Sequence, residues 1–260
     1  MPRSDGIYYE VSGGGVGEAE HAALILIHGA GGNRLHWPIA LRRLEGEQVY
    51  NLDLPGHGGS SGLPGERTIR GYLDRITQWM SATGIRRGVL VGHSMGGAIA
   101  QLAALEASDR VAGLVLVGTG GRLRVHPAIL EAARDPGRFK EAVAVASEWH
   151  FGPAAPKSMI TAIHARMLEG RPDVMYGDYL ACDAFDVLDR LGEIKAPTLV
   201  IAGRQDQLTP EKYSRFLADR IPGARLVLIE QAGHMVMMEQ PEAVVAAIRS
   251  YLLEGFGPSG

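Results

Sequence analysis

Short runs of apolar residues recur along the chain, and each run ends in glycine or another turn-forming residue. The runs are continuously apolar and do not alternate with polar positions, so they predict strands covered on both faces. The predicted strands are residues 22–27, 49–54, 88–91, 111–117, 198–202 and 226–230. Residues 8–12 are expected to pair with their neighbours as an antiparallel hairpin at the sheet edge.

Helical patterns lie between the predicted strands, at residues 68–83, 96–106, 210–220 and 241–253. The last two begin with proline, whose missing N–H group costs little in the first turn of a helix. Strands that alternate with helices are typical of α/β proteins. We therefore expect a mostly parallel, doubly wound sheet flanked by helices.

The strand signal disappears between residues 120 and 191 and returns after them. Helical stretches take its place at residues 127–150, 157–168 and 173–188. The sequence thus predicts one core domain made of residues 1–119 and 192–260, interrupted by a helical insertion at residues 120–191.

Composition and charge exclude several classes of protein. Apolar residues make up 46% and charged residues 21%, which is near the globular average and unlike a disordered chain. With a net charge of −3 and no basic block, nucleic acid is not an expected partner. Cys182 is the only cysteine, which excludes an intrachain disulfide and a multi-cysteine metal site. With no apolar run long enough for a bilayer and no signal-peptide pattern, we expect a cytoplasmic protein that does not enter membranes.

The segment from Gly88 to Ala98 reads as a strand, a sharp turn and a helix, with Ser94 at the centre of a G-x-S-x-G motif. A serine in such a turn projects its hydroxyl outward, and the crowded backbone around it requires small neighbours. Gly92 and Gly96 supply them. The helix that follows directs N–H groups toward developing negative charge, so the Met95 N–H is a candidate oxyanion donor. Neither of the common glycine-rich phosphate-binding motifs follows a predicted strand.

Five segments in this order carry a resemblance to a known family. They are His28 to Gly32 (HGAGG), Asp53 to Ser60 (DLPGHGGS), the serine turn, Gly203 to Asp206 (GRQD) and Gly233-His234. Over nearly its whole length the chain resembles the α/β-hydrolase superfamily. The resemblance implies a sheet of about eight strands, with the helical insertion as a cap over the active site.

A serine hydroxyl needs a base, and histidine titrates in the useful range. His234 follows the last predicted strand, where the resemblance places the base, and Asp206 follows the preceding strand, where it places the acid. Asp183 and Asp186 remain as less favoured acids. The resemblance also implies that the Ala30 N–H is the second oxyanion donor.

Other motif residues receive structural interpretations: His28, His57, His93 and Asp53 are expected to shape their loops. The cap is rich in methionine and aromatic residues, which predicts an adaptable apolar pocket. The candidate substrate-binding residues are His36, Trp37, Trp149, Met159 and Tyr176.

These residues predict a serine hydrolase that cleaves carboxylic esters of small, mostly apolar molecules through an acyl-enzyme. A lactonase or a C–C hydrolase of meta-cleavage products would use the same triad, and a catalytically silent protein that binds a small ligand is the alternative from another class. The expected partner is a small-molecule ester or lactone, and neither a metal nor an organic cofactor is implied. The sequence leaves the physiological substrate and the oligomeric state open.

Overall fold

A single twisted sheet forms the centre of the molecule. The computed structural model describes residues 2–13 and 22–255, so residues 1, 14–21 and 256–260 of the predicted core segments lie outside the described residues. The strands are β1 (Arg3–Ser4), β2 (Ile7–Ser12), β3 (Leu24–Ile27), β4 (Val49–Leu52), β5 (Gly88–His93), β6 (Val111–Val117), β7 (Thr198–Gly203) and β8 (Arg225–Ile229). Across the described part of the sheet, these eight strands lie in the order β1-β2-β4-β3-β5-β6-β7-β8.

The six strands from β3 to β8 pair in parallel, and β1 and β2 add an antiparallel hairpin at one edge. Every residue of β3 through β7 is buried, which is why these strands are mostly apolar. β8 forms the other edge and is partly exposed. The predicted parallel sheet and its antiparallel edge are therefore confirmed.

Helices cover both faces of the sheet, and two hydrophobic clusters fill the space between the layers. The helices are α1 (Ile39–Arg42), α2 (Ile69–Ala82), α3 (Met95–Glu106), α4 (Pro127–Arg134), α5 (Phe139–Trp149), α6 (Lys157–Leu168), α7 (Pro172–Ala184), α8 (Glu211–Arg220), α9 (Val236–Glu239) and α10 (Pro241–Gly255). The four predicted core helices are present as α2, α3, α8 and α10. The pattern missed α1 and α9, because a single helical turn is too short to show a period. Among the described residues, no helix combines the length and the apolarity needed to span a bilayer.

The helices α4 to α7 follow one another between β6 and β7, at the position of the predicted insertion. The predicted helical stretch 127–150 contains two helices, α4 and α5. They are separated at Pro136, whose ring and missing N–H group interrupt a helix. The Asp135 carboxylate caps the intervening turn by accepting the Gly137 N–H at 2.8 Å. The predicted stretch 173–188 ends earlier, at Ala184.

The connection from β5 to α3 brings main-chain atoms unusually close together. A Cβ atom on Gly96 would lie 2.2 Å from the Ile27 carbonyl oxygen, and one on Gly92 would lie 2.2 Å from the Gly96 carbonyl oxygen. Both distances are far below van der Waals contact, so only glycine fits at either position. The start of α3 can therefore lie directly against the end of β3.

We predict that Gly96→Ala lowers the free energy of unfolding by about 1–3 kcal/mol, the usual cost of overpacking. Thermal unfolding followed by circular dichroism should show a midpoint reduced by roughly 2–4 °C for each kcal/mol. Gly192→Ala is the matched control, because no atom lies within 4 Å of the added Cβ. Equal midpoints for the two variants would contradict the steric argument.

Candidate active site

Ser94 lies in the turn between β5 and α3 and has a strained backbone. Its φ of 52° and ψ of −114° lie outside the regions that L-residues usually adopt, at a cost of roughly 1–3 kcal/mol. Hydrogen bonds hold its main chain on both sides: the Ser94 N–H donates to the Val117 carbonyl at 3.0 Å, and its own carbonyl accepts the Gly97 N–H at 2.9 Å. The fold thus keeps Ser94 in this conformation.

An aspartate and a histidine form a buried hydrogen-bonded pair near the same edge of the sheet. Asp206 follows β7, and His234 lies in the loop between β8 and α9. The His234 Nδ1 lies 2.9 Å from the Asp206 Oδ2. An ionised carboxylate only accepts hydrogen bonds, so Nδ1 carries a proton, and it is Nε2 that has a lone pair whenever the ring is uncharged.

The Asp206 carboxylate is held at both oxygens. Its Oδ1 accepts the N–H groups of Leu208 and Thr209 at 2.9 and 2.8 Å, and its Oδ2 accepts the Thr209 hydroxyl at 2.7 Å. Burial acts to raise the pKa of Asp206, but His234 and the bonds from Thr209 outweigh it, so the pKa is below its ordinary value. Asp206 is therefore an ionised, fixed partner for His234.

Ser94 and His234 line one cavity beneath the helices that follow β6. The Gly29–Ala30 turn forms part of its wall, and a Cβ atom on Gly29 would lie 3.1 Å from the Ser94 Cβ. The remaining lining residues are His36, His93, Leu123, Arg124, Val125, His126, Ile129, Ala146, His150, Tyr179, Cys182, Leu208, Thr209 and Met235. The cavity brings a strained serine, a paired histidine and a glycine-rich turn into one place.

Two further imidazoles surround His234. The His93 Nε2–H donates to the His234 carbonyl at 3.0 Å, and the rings of His150 and His234 lie 5.8 Å apart. Burial and the neighbouring His234 lower the pKa of His93 well below its ordinary value, and burial with His234 and His36 lowers that of His150 to about 3. Both rings are therefore neutral at physiological pH.

The loop that carries His234 is fastened to the end of α5. The Met235 N–H donates to the His150 carbonyl at 2.9 Å. The Glu239 carboxylate accepts the Gly152 N–H at 2.8 Å and the Gly233 N–H at 2.9 Å. These bonds join the base loop directly to the inserted helices.

The two predicted oxyanion donors come from different turns of the chain, one after β3 and one after β5. Ala30 lines the cavity in the turn after β3. Met95 is the first residue of α3 and directly follows Ser94, and its side chain is fully buried away from the cavity lining. Their N–H groups belong to the same two turns that meet at Ser94.

Of the predicted substrate-binding residues, only His36 is placed in the described cavity lining. Trp37 is fully buried, with its ring 6.4 Å from that of His93. The ring of Trp149 lies 5.0 Å from that of His126, and Trp149 and Met159 both pack against the hydrophobic core. Tyr176 lies beside Arg67. Neither a place after the Gly29–Gly32 turn nor an aromatic or methionine side chain in the insertion is therefore enough to put a residue in this cavity lining.

Sequence reasoning missed most of the wall. Leu123, Val125 and Ile129 follow β6, and the carboxyl ends of parallel strands are where such sites form. On the helices, Ala146 with His150 and Tyr179 with Cys182 are four and three residues apart, the spacing of one helical face. Helical spacing could therefore have identified these pairs, but not the cavity that they face.

The two alternative acids lie elsewhere. Asp183 accepts the Val125 N–H at 3.1 Å, and Asp186 is exposed near Arg122 and Arg124. Among the described residues, no group of three or more His, Cys, Asp or Glu side chains is arranged to hold a metal ion.

Comparisons with known proteins identify related chains along most of the sequence. The model of the alpha/beta hydrolase family matches residues 24–247. One relative is RutD of Caulobacter sp. (strain K31), which is provisionally named as a carbamate hydrolase. It is 32% identical to this chain over 261 residues, which cover 95% of this chain and 96% of RutD.

Two solved structures extend the similarity to the fold. A thermophilic esterase from Thermogutta terrifontis is 29% identical with a TM-score of 0.84, covering 96% of this chain and 94% of its own. The enol-lactonase from Burkholderia xenovorans LB400 is 25% identical with a TM-score of 0.85, covering 96% and 98%. Each of these two similarities therefore extends over nearly the whole of both chains.

The lowered pKa of Asp206 predicts how stability changes in acid. Its contribution is present above its ordinary pKa of about 3.9 and is lost as the pH falls through the lower folded value. Urea unfolding between about pH 6 and about pH 3 should show the wild type losing free energy of unfolding relative to Asp206→Asn. The exposed Asp189→Asn should give a curve parallel to the wild type. A pH-independent gap between the wild type and Asp206→Asn would contradict the pairing.

Proposed function

Because the chain belongs to the alpha/beta hydrolase family, we propose that it is a serine hydrolase that cleaves carboxylic esters of small, mostly apolar molecules. The observation that carries the proposal is the buried His234–Asp206 pair, whose histidine lines the same cavity as the strained Ser94. The likeness to the Thermogutta esterase supports the same reaction class.

In the proposed reaction, the Ser94 Oγ attacks the ester carbonyl carbon while the His234 Nε2 accepts the hydroxyl proton. Asp206 stabilises the imidazolium that forms. The tetrahedral intermediate collapses as the bond to the leaving oxygen breaks, and His234 returns the proton to the departing alcohol. A water molecule then attacks the acyl-enzyme in the same way, which releases the acid and restores Ser94.

The N–H groups of Ala30 and Met95 are the proposed donors to the negatively charged oxygen of the intermediate. Ala30 lies in the cavity wall, and Met95 begins the helix whose positive dipole end faces Ser94. Charge develops on this oxygen only as the reaction proceeds, so these groups stabilise the transition state more than the bound substrate.

The inserted helices are proposed as a cap that selects the substrate. Nine lining residues, from Leu123 to Cys182, belong to this segment, and most of them are apolar. Removal of water by such a cover strengthens the hydrogen bonds made to the reacting carbonyl. An apolar acyl group fits this wall better than a charged one.

Cleavage of a lactone is the second candidate, and the likeness to an enol-lactonase favours it. A lactone is a cyclic ester, so the same attack on its carbonyl opens the ring. The leaving alcohol then stays attached to the acyl group, and the product forms only after water releases it from Ser94.

Ser94→Ala should lower kcat by about 10⁴–10⁶-fold on a short-chain p-nitrophenyl ester, since the nucleophile is lost. A fluorophosphonate probe should label the wild type once, at Ser94, as shown by mass spectrometry of the peptides. Ser158→Ala changes an exposed serine and is the matched control. If the folded wild type is not labelled by the probe and hydrolyses no ester or lactone, the alternative is favoured, in which the protein binds a small ligand without catalysis.

The cavity wall predicts a preference between acyl groups of equal size. p-Nitrophenyl 4-methylpentanoate should be cleaved with a higher kcat/KM than mono-p-nitrophenyl succinate, since the succinyl carboxylate must lose its water against apolar side chains. We expect a difference of about 10-fold or more, measured by release of p-nitrophenolate. A faster reaction with the succinate would show that the cap recognises charge.

A further inference from the structure

A second buried carboxylate connects the inserted helices to the core. Asp178 of α7 is fully buried. Its Oδ1 accepts the Tyr72 hydroxyl at 2.5 Å, while its Oδ2 accepts the His57 Nε2–H and the Gly31 N–H, each at 2.8 Å. One side chain thus joins α2, the loop after β4 and the turn after β3.

The hydrogen bonds of His57 define its charge. Its Nε2 faces the Asp178 carboxylate, and its Nδ1 lies 3.0 Å from the Pro55 carbonyl oxygen. Both partners only accept hydrogen bonds, so both ring nitrogens must carry protons and the ring is an imidazolium. Burial acts to lower the pKa of His57, but the charge and hydrogen bond of Asp178 outweigh it and raise the pKa.

The neighbouring His28 shows the opposite pattern. Its Nε2 accepts the Leu54 N–H at 3.0 Å, so its Nδ1 is the protonated nitrogen and donates to the Gly29 carbonyl at 2.8 Å. This ring is neutral, and its centre lies 4.8 Å from that of His57. The imidazolium of His57 and the carboxylate of Asp178 therefore form one buried ion pair beside the glycine-rich turn.

The turn held by this pair is the one that carries Ala30. Within it, the Gly32 N–H donates to the Gly29 carbonyl at 3.1 Å. Asp178 holds the next peptide, between Ala30 and Gly31, from outside the turn. Gly31 has a φ of +61°, and an added Cβ would lie 2.7 Å from the Met175 Cε of the same helix α7. Helix α7 therefore meets the turn at two points, the Met175 side chain and the Asp178 carboxylate.

We propose that Asp178, with His57, is a positioning residue that holds the Gly29–Gly32 turn so that the Ala30 N–H points at the reacting carbonyl. The proposal rests on the proposed function, in which this N–H is an oxyanion donor. It makes the inserted helices part of the catalytic arrangement as well as its cover. If this N–H donor moves out of place, the transition state loses stabilisation while substrate binding stays unchanged.

The expected effects differ between two substitutions at Asp178. Asp178→Ala removes the acceptor of the Gly31 N–H and should lower kcat by about 10–100-fold, with KM changed by less than about 3-fold. Asp178→Asn keeps an oxygen for Gly31 but loses the charge, and charge-assisted bonds are roughly twice as strong as neutral ones. It should lower kcat by about 3–10-fold. Asp173→Asn, an exposed acid on the same helix, is the matched control and should leave kcat unchanged.

The experiment measures kcat and KM on a p-nitrophenyl ester, with reactive sites counted by fluorophosphonate labelling. Amide hydrogen exchange of peptides that cover residues 29–32 should become faster in Asp178→Ala and stay unchanged in Asp173→Asn. Unchanged exchange, a wild-type kcat per labelled site in Asp178→Asn, or a loss confined to KM would each overturn the proposal. If Asp178→Ala does not fold, Asp178→Asn and its exchange rates decide the outcome alone.

Failure of the proposed function has a different signature. In that case the wild type itself would show no labelling at Ser94 and no hydrolysis. The exchange measurement does not depend on activity, so it still reports whether Asp178 holds the turn.

Discussion

Parallel pairing of the strands is the constraint on which the site depends. Because β3 to β8 run in one direction, the segments that follow β3, β5, β7 and β8 all emerge at one edge of the sheet. These segments contain Ala30, Ser94, Asp206 and His234. The close approach of Gly96 to the end of β3 then sets the distance between the first two. Residues more than two hundred positions apart meet because the backbone directs them to the same place.

Two buried aspartate–histidine pairs lie within this region and differ in one respect. In both pairs, a carboxylate with further donors faces an imidazole nitrogen. The second nitrogen of His57 faces a carbonyl oxygen, which requires a proton and fixes a positive charge. The ring of His234, in contrast, lines the cavity that also contains Ser94. The surroundings of the far ring nitrogen, and not the aspartate, therefore distinguish the His57 ion pair from the pair to which we assign the catalytic base.

The sequence was sufficient to predict the strands, the core helices and the positions of Ser94, Asp206 and His234 in loops after strands. These features leave local signals: apolar runs, glycine turns and chain order. The break at Pro136 also has a local signal, which the helical pattern obscured. The wall of the cavity has none, because periodicity shows that a face is buried but not what it packs against. Trp149 and Met159 are partly buried and pack against the hydrophobic core, whereas Tyr179 and Cys182 line the cavity.

The fastening of the inserted helices at two places affects how molecules enter and leave. One attachment is the Asp178 network, and the other consists of the bonds from Met235 and Glu239 to the end of α5. Movement of the whole segment away from the core would break both attachments at once. It would also separate the buried Asp178 carboxylate from its hydrogen-bond partners in the core. Arg124 and His126 reach the cavity and are also exposed to solvent. We therefore expect small molecules to reach the cavity past these two side chains while the inserted segment stays attached to the core.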